Sequence, residues 1–180
     1  KTGSADVLEA LGVELDLTED QFRACIDQAG VGFLFARSHH SAMKHVAPVR
    51  ASLGIRTIFN LLGPLSNPAF ASHQVLGVNE ARWLRPMAEA LRDLGVTRAW
   101  VVHGRDSDET VIDELSIAGE TQVIEVKDGT LTDLTIVPED AGLGRNRLSA
   151  LVGGVPADNA LAIREIFEGR PGPFRDAVTL

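Results

Sequence analysis

The chain has 180 residues, 44% of them apolar and 23% charged, which is the balance of an ordinary water-soluble globular domain. Its 17 basic and 25 acidic side chains leave a formal net charge of −8, which argues against a broad nucleic-acid or membrane surface. No apolar run approaches the ~18–20 residues that span a bilayer, and a single cysteine, Cys25, excludes a disulfide framework and fits a reducing compartment.

Lys1 to Asp6 has no basic stretch followed by an apolar one, so it does not read as a signal peptide. There is no initiator Met, and Asp176 to Leu180 reads as an element cut short. The chain is therefore expected to be a piece of a longer protein. Thr18-Glu19-Asp20-Gln21 has the form of a capping box. Phe22, Cys25, Ile26 and Ala29 follow as one apolar stripe, and Gly30 sits where a helix ends. Val31 to Phe35 is a short apolar run expected as a buried strand.

His73 to Val78 is expected as a further strand. Asn79 is a candidate cap for a helix with Leu84, Met87, Ala88 and Leu91 on its inner face, ending at Gly95. Val96 to His103 reads as another buried strand. Gln122–Val126 and Leu134–Val137 read as short strands, with the Asp128-Gly129 hairpin signal between them. Asp158 is expected to cap a last helix to about Glu168, stopped by Gly169, Pro171, Gly172 and Pro173. Strands alternating with helices imply an α/β fold with a mainly parallel central sheet flanked by helices, plus a small β-hairpin. No repeat or linker interrupts the chain, so residues 1–180 are expected to form a single α/β domain.

Charge is unevenly spread. From Gln28 to Asn79 there are 52 residues without an Asp or Glu, where the chain average predicts about seven. The stretch carries Arg37, Lys44, Arg50 and Arg56, together with His39, His40, His45 and His73. A small cationic segment in an acidic protein suits a site for a small anion, while exclusion of carboxylates by packing is the plainer alternative. Ligands of open α/β sheets bind beyond the carboxyl ends of the strands, so this segment is expected to wall a cleft there.

Several familiar chemistries are missing. There is no G-x-G-x-x-G, no G-x-x-x-x-G-K-[ST], no H-E-x-x-H and no serine nucleophile elbow. Cys25 lies on the apolar stripe of its helix and reads as a packed thiol. His40 with Lys44 or His45 comes nearest to a helical metal pair. The most distinctive segment is Ala47-Pro48-Val49-Arg50 followed by Gly54 to Pro68, apolar but broken by Gly63, Pro64 and Pro68. The prolines are expected to hold Gly63 and Asn67 extended, giving an irregular buried loop whose backbone groups Thr57, Asn60 and Asn67 help satisfy. A rigid loop beside Arg50 suits a planar ligand with a carboxylate, to which Arg presents a bidentate fork.

At these residues the sequence resembles the anthranilate phosphoribosyltransferase family, of the nucleoside phosphorylase-like class. The matching segments are Gly3 to Gly12, Gly32 to Ala36, His40 to Arg50, Gly54 to Pro68, Val101 to Gly104, Asp113 to Ser116, Pro138 to Asp140 and Gly153-Gly154, in family order. The resemblance implies the α/β catalytic part of a longer enzyme, with a helical N-terminal domain and a glycine-rich phosphate loop upstream of this chain. This piece alone is then expected to be inactive. The implied reaction is transfer of a phosphoribosyl group from phosphoribosyl pyrophosphate to the amine of anthranilate.

By resemblance, Arg50 and His40 line the anthranilate tunnel, Gly63 and Pro64 form a turn against anthranilate, and Met43 is a further substrate-binding residue. Asp113-Glu114 matches the acidic pair that holds magnesium (Mg2+) on phosphoribosyl pyrophosphate. Here the chain departs from the family's usual spacing. Eight residues, Arg105 to Ile112, separate His103-Gly104 from Asp113, and they contain a second pair, Asp108-Glu109. The following Leu115-Ser116 and Gly119 favour Asp113-Glu114. The resemblance also implies a cytoplasmic homodimer, paired through the upstream helical domain, with no nucleic-acid or membrane partner.

Overall fold

The computed structural model describes residues 3–34, 59–108 and 110–180, with the side chains of Phe59 and Asn60 set aside. Its contacts divide the chain into two compact units. One comprises residues 1–60 and 153–165, the other residues 61–152 and 166–180.

In the first unit, α1 runs Ser4–Leu11 and α2 runs Glu19–Ala29. The Thr18 hydroxyl accepts from the Gln21 N–H at 3.3 Å and the Gln21 side chain accepts from the Thr18 N–H at 2.9 Å, the expected capping box. Gly30 closes the helix at φ 74°, a left-handed conformation that glycine adopts without steric cost. Helix α1 was not anticipated, because its cap is Gly3, which has no side chain to signal it; Asp6 Oδ2 accepts from the Gly3 N–H at 2.9 Å instead.

The strand expected at Val31–Phe35 is not formed over residues 31–34, and Phe35 lies outside the described residues. Val31 is 69% exposed. The chain turns back at Gly30 and lays Gly32 against the Phe22 ring and Ile26, so the run lies along its own helix. Pro156–Phe167 forms α5, after α3 and α4 given below; it starts two residues ahead of Asp158, which sits in its first turn. Proline is well suited to a first helical position, where its missing N–H has no partner to lose.

The second unit is built on a sheet. The strands are β1 His73–Gly77, β2 Arg98–Arg105, β3 Val111–Ile112, β4 Thr121–Lys127 and β5 Thr130–Ile136. The order is β1-β2-β4-β5, with β3 also paired to β2. The α/β class stands, but "mainly parallel" does not describe these strands. Among the described residues β1/β2 is the parallel pair, and β2/β3, β2/β4 and β4/β5 are antiparallel, so the sheet is mixed. The β2–β4 connection brings β4 back antiparallel to β2, and the β4–β5 hairpin, with Asp128 and Gly129 at φ 47° and 79° in a type I′ geometry, adds a second antiparallel pair.

Helix α4, Leu84–Asp93, connects β1 to β2. Its inner residues Leu84, Met87, Ala88 and Leu91 are buried, as the spacing predicts. They join Leu76, Val78, Ala99, Val101, Ile124 and Val126 in one core over the sheet. Asn79 does not cap this helix. A short 3-10 turn, Ala81–Trp83, intervenes and α4 starts at Leu84. Leu61 and Leu65 pack on the same core from α3, Phe59–Leu65.

Helix α3 overturns the expected irregular loop. Pro64 lies inside it and Gly63 is helical rather than extended. Pro64 sits one residue from the helix end, so it removes only one bond of the last turn, and its fixed φ is a helical value. The Ser66 hydroxyl donates to the Leu62 carbonyl at 2.8 Å and Gln74 Nε2 donates to the Pro64 carbonyl at 2.9 Å, satisfying the helix end. Asn67 does play its expected part: its Oδ1 accepts from the Ala69 N–H at 2.9 Å. A further helix, α6 at Pro173–Thr179, follows the Gly-Pro stop and packs against the 3-10 turn Leu148–Leu151.

Candidate active site

The parallel pair β1/β2 ends at Gly77 and Arg105, and the connection from β2 to β4 folds back over those ends. Its short strand β3 pairs Ile112 with Gly104 and Val111 with Arg105. Asp113 and Glu114 follow in a bend. Both strand ends carry a glycine because the acidic residues' main chain runs directly across them. A Cβ at Gly77 would overlap the Asp113 carbonyl, and one at Gly104 would lie 2.5 Å from the Glu114 carbonyl oxygen. Backbone approaching backbone this closely leaves no space for a side chain. The acidic pair therefore sits at the carboxyl end of the parallel strands, the place where ligands of α/β sheets bind.

Polar groups beneath the pair are buried and partnered. His103, 7% exposed, places Nδ1 2.8 Å from the Val78 carbonyl oxygen. A carbonyl only accepts, so Nδ1 carries the proton. This ties the end of β2 to the residue that follows β1, as does the Val78 N–H to the Val102 carbonyl at 2.9 Å. The Ser116 hydroxyl donates to the Arg105 carbonyl at 2.9 Å and accepts from the Ala118 N–H at 3.1 Å. The Ser116 N–H donates to Thr121 Oγ1 at 2.9 Å. Sequence reasoning gave His103, Ser116 and Thr121 no role; a polar residue in an apolar run, as at His103, is the signal that marks such positions.

The side chains of Asp113 and Glu114 face solvent. Glu114 still titrates above the usual carboxylate range, first because the protein beneath it withdraws water and second because the Asp113 charge is beside it. Both effects disfavour its anion, and a bound cation would relieve both. Magnesium is held by one or two carboxylates with substrate phosphates completing the shell, so this pair fits that ion without a third protein ligand. No group of three or more His, Cys, Asp or Glu side chains placed to hold a metal ion occurs among the described residues.

The alternative pair is set apart. Asp106 closes its own loop, with Oδ1 accepting from the Asp108 and Thr110 N–H groups, each at 2.9 Å. Its N–H donates to the Thr110 carbonyl at 3.0 Å. Asp108 is exposed on that loop, and Glu109 lies outside the described residues. Below the loop, Arg105 Nη2 meets Glu120 Oε2 at 2.7 Å.

His40, Met43 and Arg50, with most of the cationic segment, also lie outside the described residues. Gly63 and Pro64 lie on α3; the position where a Cβ would stand on Gly63 has nothing within 4 Å among the described residues. Pro138 to Asp140 is structural: Asp140 Oδ2 accepts from the Val137 N–H at 2.9 Å and Glu139 pairs with Arg145 at 2.8 Å. Gly153-Gly154 precedes α5, where Asn159 Oδ1 accepts from the Gly154 N–H at 2.8 Å.

The chain thus folds as an α/β domain whose acidic bend lies over the carboxyl ends of its parallel strands. Comparison with known proteins agrees. The family described as "Glycosyl transferase family, a/b domain" matches residues 1–180, and the chain belongs to that family. A protein of Hyphomonas neptunium named anthranilate phosphoribosyltransferase is 59% identical over the whole chain, which covers 52% of that relative. One of the same name from Parvibaculum lavamentivorans is 54% identical over 99% of the chain and 51% of its own length. The chain thus spans about half the length of the curated relatives it matches. The crystal structure of anthranilate phosphoribosyltransferase from Thermus thermophilus superposes with a TM-score of 0.87 at 52% identity, covering 98% of this chain and 51% of that one. The Saccharomyces cerevisiae enzyme in complex with PRPP and Mg gives 0.83 at 27% identity, covering 98% and 49%.

No helix among the described residues is long and apolar enough to cross a membrane.

Proposed function

We propose that this chain is the α/β part of an anthranilate phosphoribosyltransferase. As part of a longer protein it transfers the phosphoribosyl group of phosphoribosyl pyrophosphate to the amine of anthranilate, releasing pyrophosphate, in tryptophan biosynthesis. The observation that carries the reading is the acidic pair fixed over the carboxyl ends of β1 and β2, in a chain 59% identical to a protein of that name.

Asp113 and Glu114 would hold Mg2+. When bound, that ion neutralises charge developing on the departing pyrophosphate. Arg50 holds the anthranilate carboxylate through its guanidinium fork, and His40, Met43, Gly63 and Pro64 border the aromatic ring. Anthranilate's aniline nitrogen is already neutral at pH 7, so no strong base is required to free its lone pair. Its residues act by fixing two substrates in line, with C1 of the ribose between the amine and the leaving oxygen. A piece lacking the upstream phosphate loop is inactive alone, and the complete protein works as a cytoplasmic homodimer.

The test is an assay of the complete protein for loss of anthranilate fluorescence, dependent on phosphoribosyl pyrophosphate and Mg2+. Arg50→Ala removes a charge-assisted contact and should raise the KM for anthranilate by about 10- to 100-fold, with that for phosphoribosyl pyrophosphate little changed. Arg50→Lys should recover part of the loss, because a point charge cannot reproduce the fork. Absence of transfer by the complete wild-type protein overturns the reading.

A further inference from the structure

The acidic bend is held from below by two buried hydroxyl side chains whose hydrogen bonds go to backbone groups. Ser116 and Thr121 are both 0% exposed. Thr121 opens β4, where it pairs in register with Gly104 of β2 and Ile136 of β5, so its Oγ1 is fixed by the sheet. That oxygen accepts the Ser116 N–H at 2.9 Å, and the Ser116 hydroxyl donates to the Arg105 carbonyl at 2.9 Å. Ser116 is two residues beyond Glu114, whose carbonyl lies over Gly104. One end of the bend is thus anchored by β3 on β2, the other by Ser116 on β2 and β4. A buried N–H without an acceptor is costly, so the bend has little freedom to move away from Thr121.

We propose that Thr121, acting through Ser116, is a positioning residue that sets the direction of the Asp113 and Glu114 carboxylates for a divalent cation. The proposal rests on the reading of that pair as the metal site. Groups hydrogen-bonded to a metal ligand typically control about 10- to 100-fold in affinity; Ser116 and Thr121 act one step further out, through the backbone of the bend, so the lower end of that range is expected. Valine has the shape of threonine but no acceptor, so Thr121→Val leaves the packing and removes the bond. Serine keeps the oxygen.

The experiment uses the complete protein and Mn2+ as a paramagnetic probe, with inorganic pyrophosphate supplying phosphate oxygens. Free Mn2+ is followed by electron paramagnetic resonance. Thr121→Val and Ser116→Ala should each weaken Mn2+ binding by about 10-fold, and Thr121→Ser should stay within about twofold of wild type. In the same variants the KM for phosphoribosyl pyrophosphate should rise and that for anthranilate should not. A merely structural role would lower the melting temperature and leave the Mn2+ affinity and both KM values unchanged. If Thr121→Val does not fold, Thr121→Ala removes the same acceptor and is compared with Thr121→Ser, while Ser116→Ala tests the separate Ser116 hydroxyl bond to the Arg105 carbonyl. Wild-type affinity in Ser116→Ala and Thr121→Val, with loss in Asp113→Asn/Glu114→Gln, overturns the positioning role and leaves the metal site standing. Wild-type affinity in Asp113→Asn/Glu114→Gln overturns both.

Discussion

Two connections lead into and out of β4, and they are made by opposite means. The β4–β5 turn is set mainly by Asp128 and Gly129, both at positive φ, with one bond from outside the hairpin, the Asp128 N–H to the Thr97 carbonyl at 3.0 Å. The β2–β4 connection, residues 106–120, is held by distant partners: Gly77 and Gly104 under its backbone, Thr121 at its end, and the Arg105 carbonyl beneath Ser116. The first is a local solution to reversing the chain. The second spends non-local contacts to carry two carboxylates to the strand ends, where ligands of open α/β sheets bind. Short turns are set by their own residues, and functional loops by the scaffold that receives them.

Disturbing the scaffold should therefore hurt most. Gly77→Ala puts a methyl group into the Asp113 main chain, with no flexible side chain to yield. We expect a loss of about 3 kcal/mol or more, read as a large fall in melting temperature, because backbone must shift on one side or the other. A variant of wild-type stability would mean that the acidic bend does not rest on β1. Disturbing the local turn should do less. Gly129→Ala forces a Cβ into a left-handed conformation at φ 79° and should cost about 1–2 kcal/mol while leaving Mn2+ affinity unchanged.

The smallest effect concerns charge alone. Glu114 has its folded-state pKa raised by burial of its surroundings and by Asp113. The folded protein then binds the proton more readily than the unfolded chain, so this group's penalty is present at neutral pH and falls away as pH drops through the raised value. Glu114→Gln should accordingly stabilise the metal-free protein slightly at pH 7, and the gain should vanish at pH values below the unfolded carboxylate range. Urea titrations at the two pH values read the difference; an equal gain at both would point to packing instead.

The same contrast explains what the sequence disclosed. The hairpin was legible from Asp128-Gly129, the Thr18 helix from its capping box, and α4 from the spacing of its buried face. Each is a signal contained within a few residues. The mixed sheet was not legible, because the antiparallel return of β4 onto β2 depends on the path of the whole intervening connection. Helix α3 was hidden by reading Pro64 as a breaker when it lies in the last turn, and the run from Val31 to Leu34 by reading apolar as strand when it lies along α2. Asp113 and Glu114 were singled out through resemblance as the candidate pair. Gly77 and Thr121 were not, since their importance comes from close approach of segments distant in the chain.

The central claim is that the pair after β3, and not the pair on the preceding loop, holds the cation during phosphoribosyl transfer. The direct measurement is Mg2+-dependent transfer by two double variants of the complete protein, with circular dichroism as the check on folding. Asp113→Asn/Glu114→Gln should fold and lose the Mg2+-dependent rate, whereas Asp108→Asn/Glu109→Gln should retain it. Activity surviving the first change and lost in the second would contradict the account.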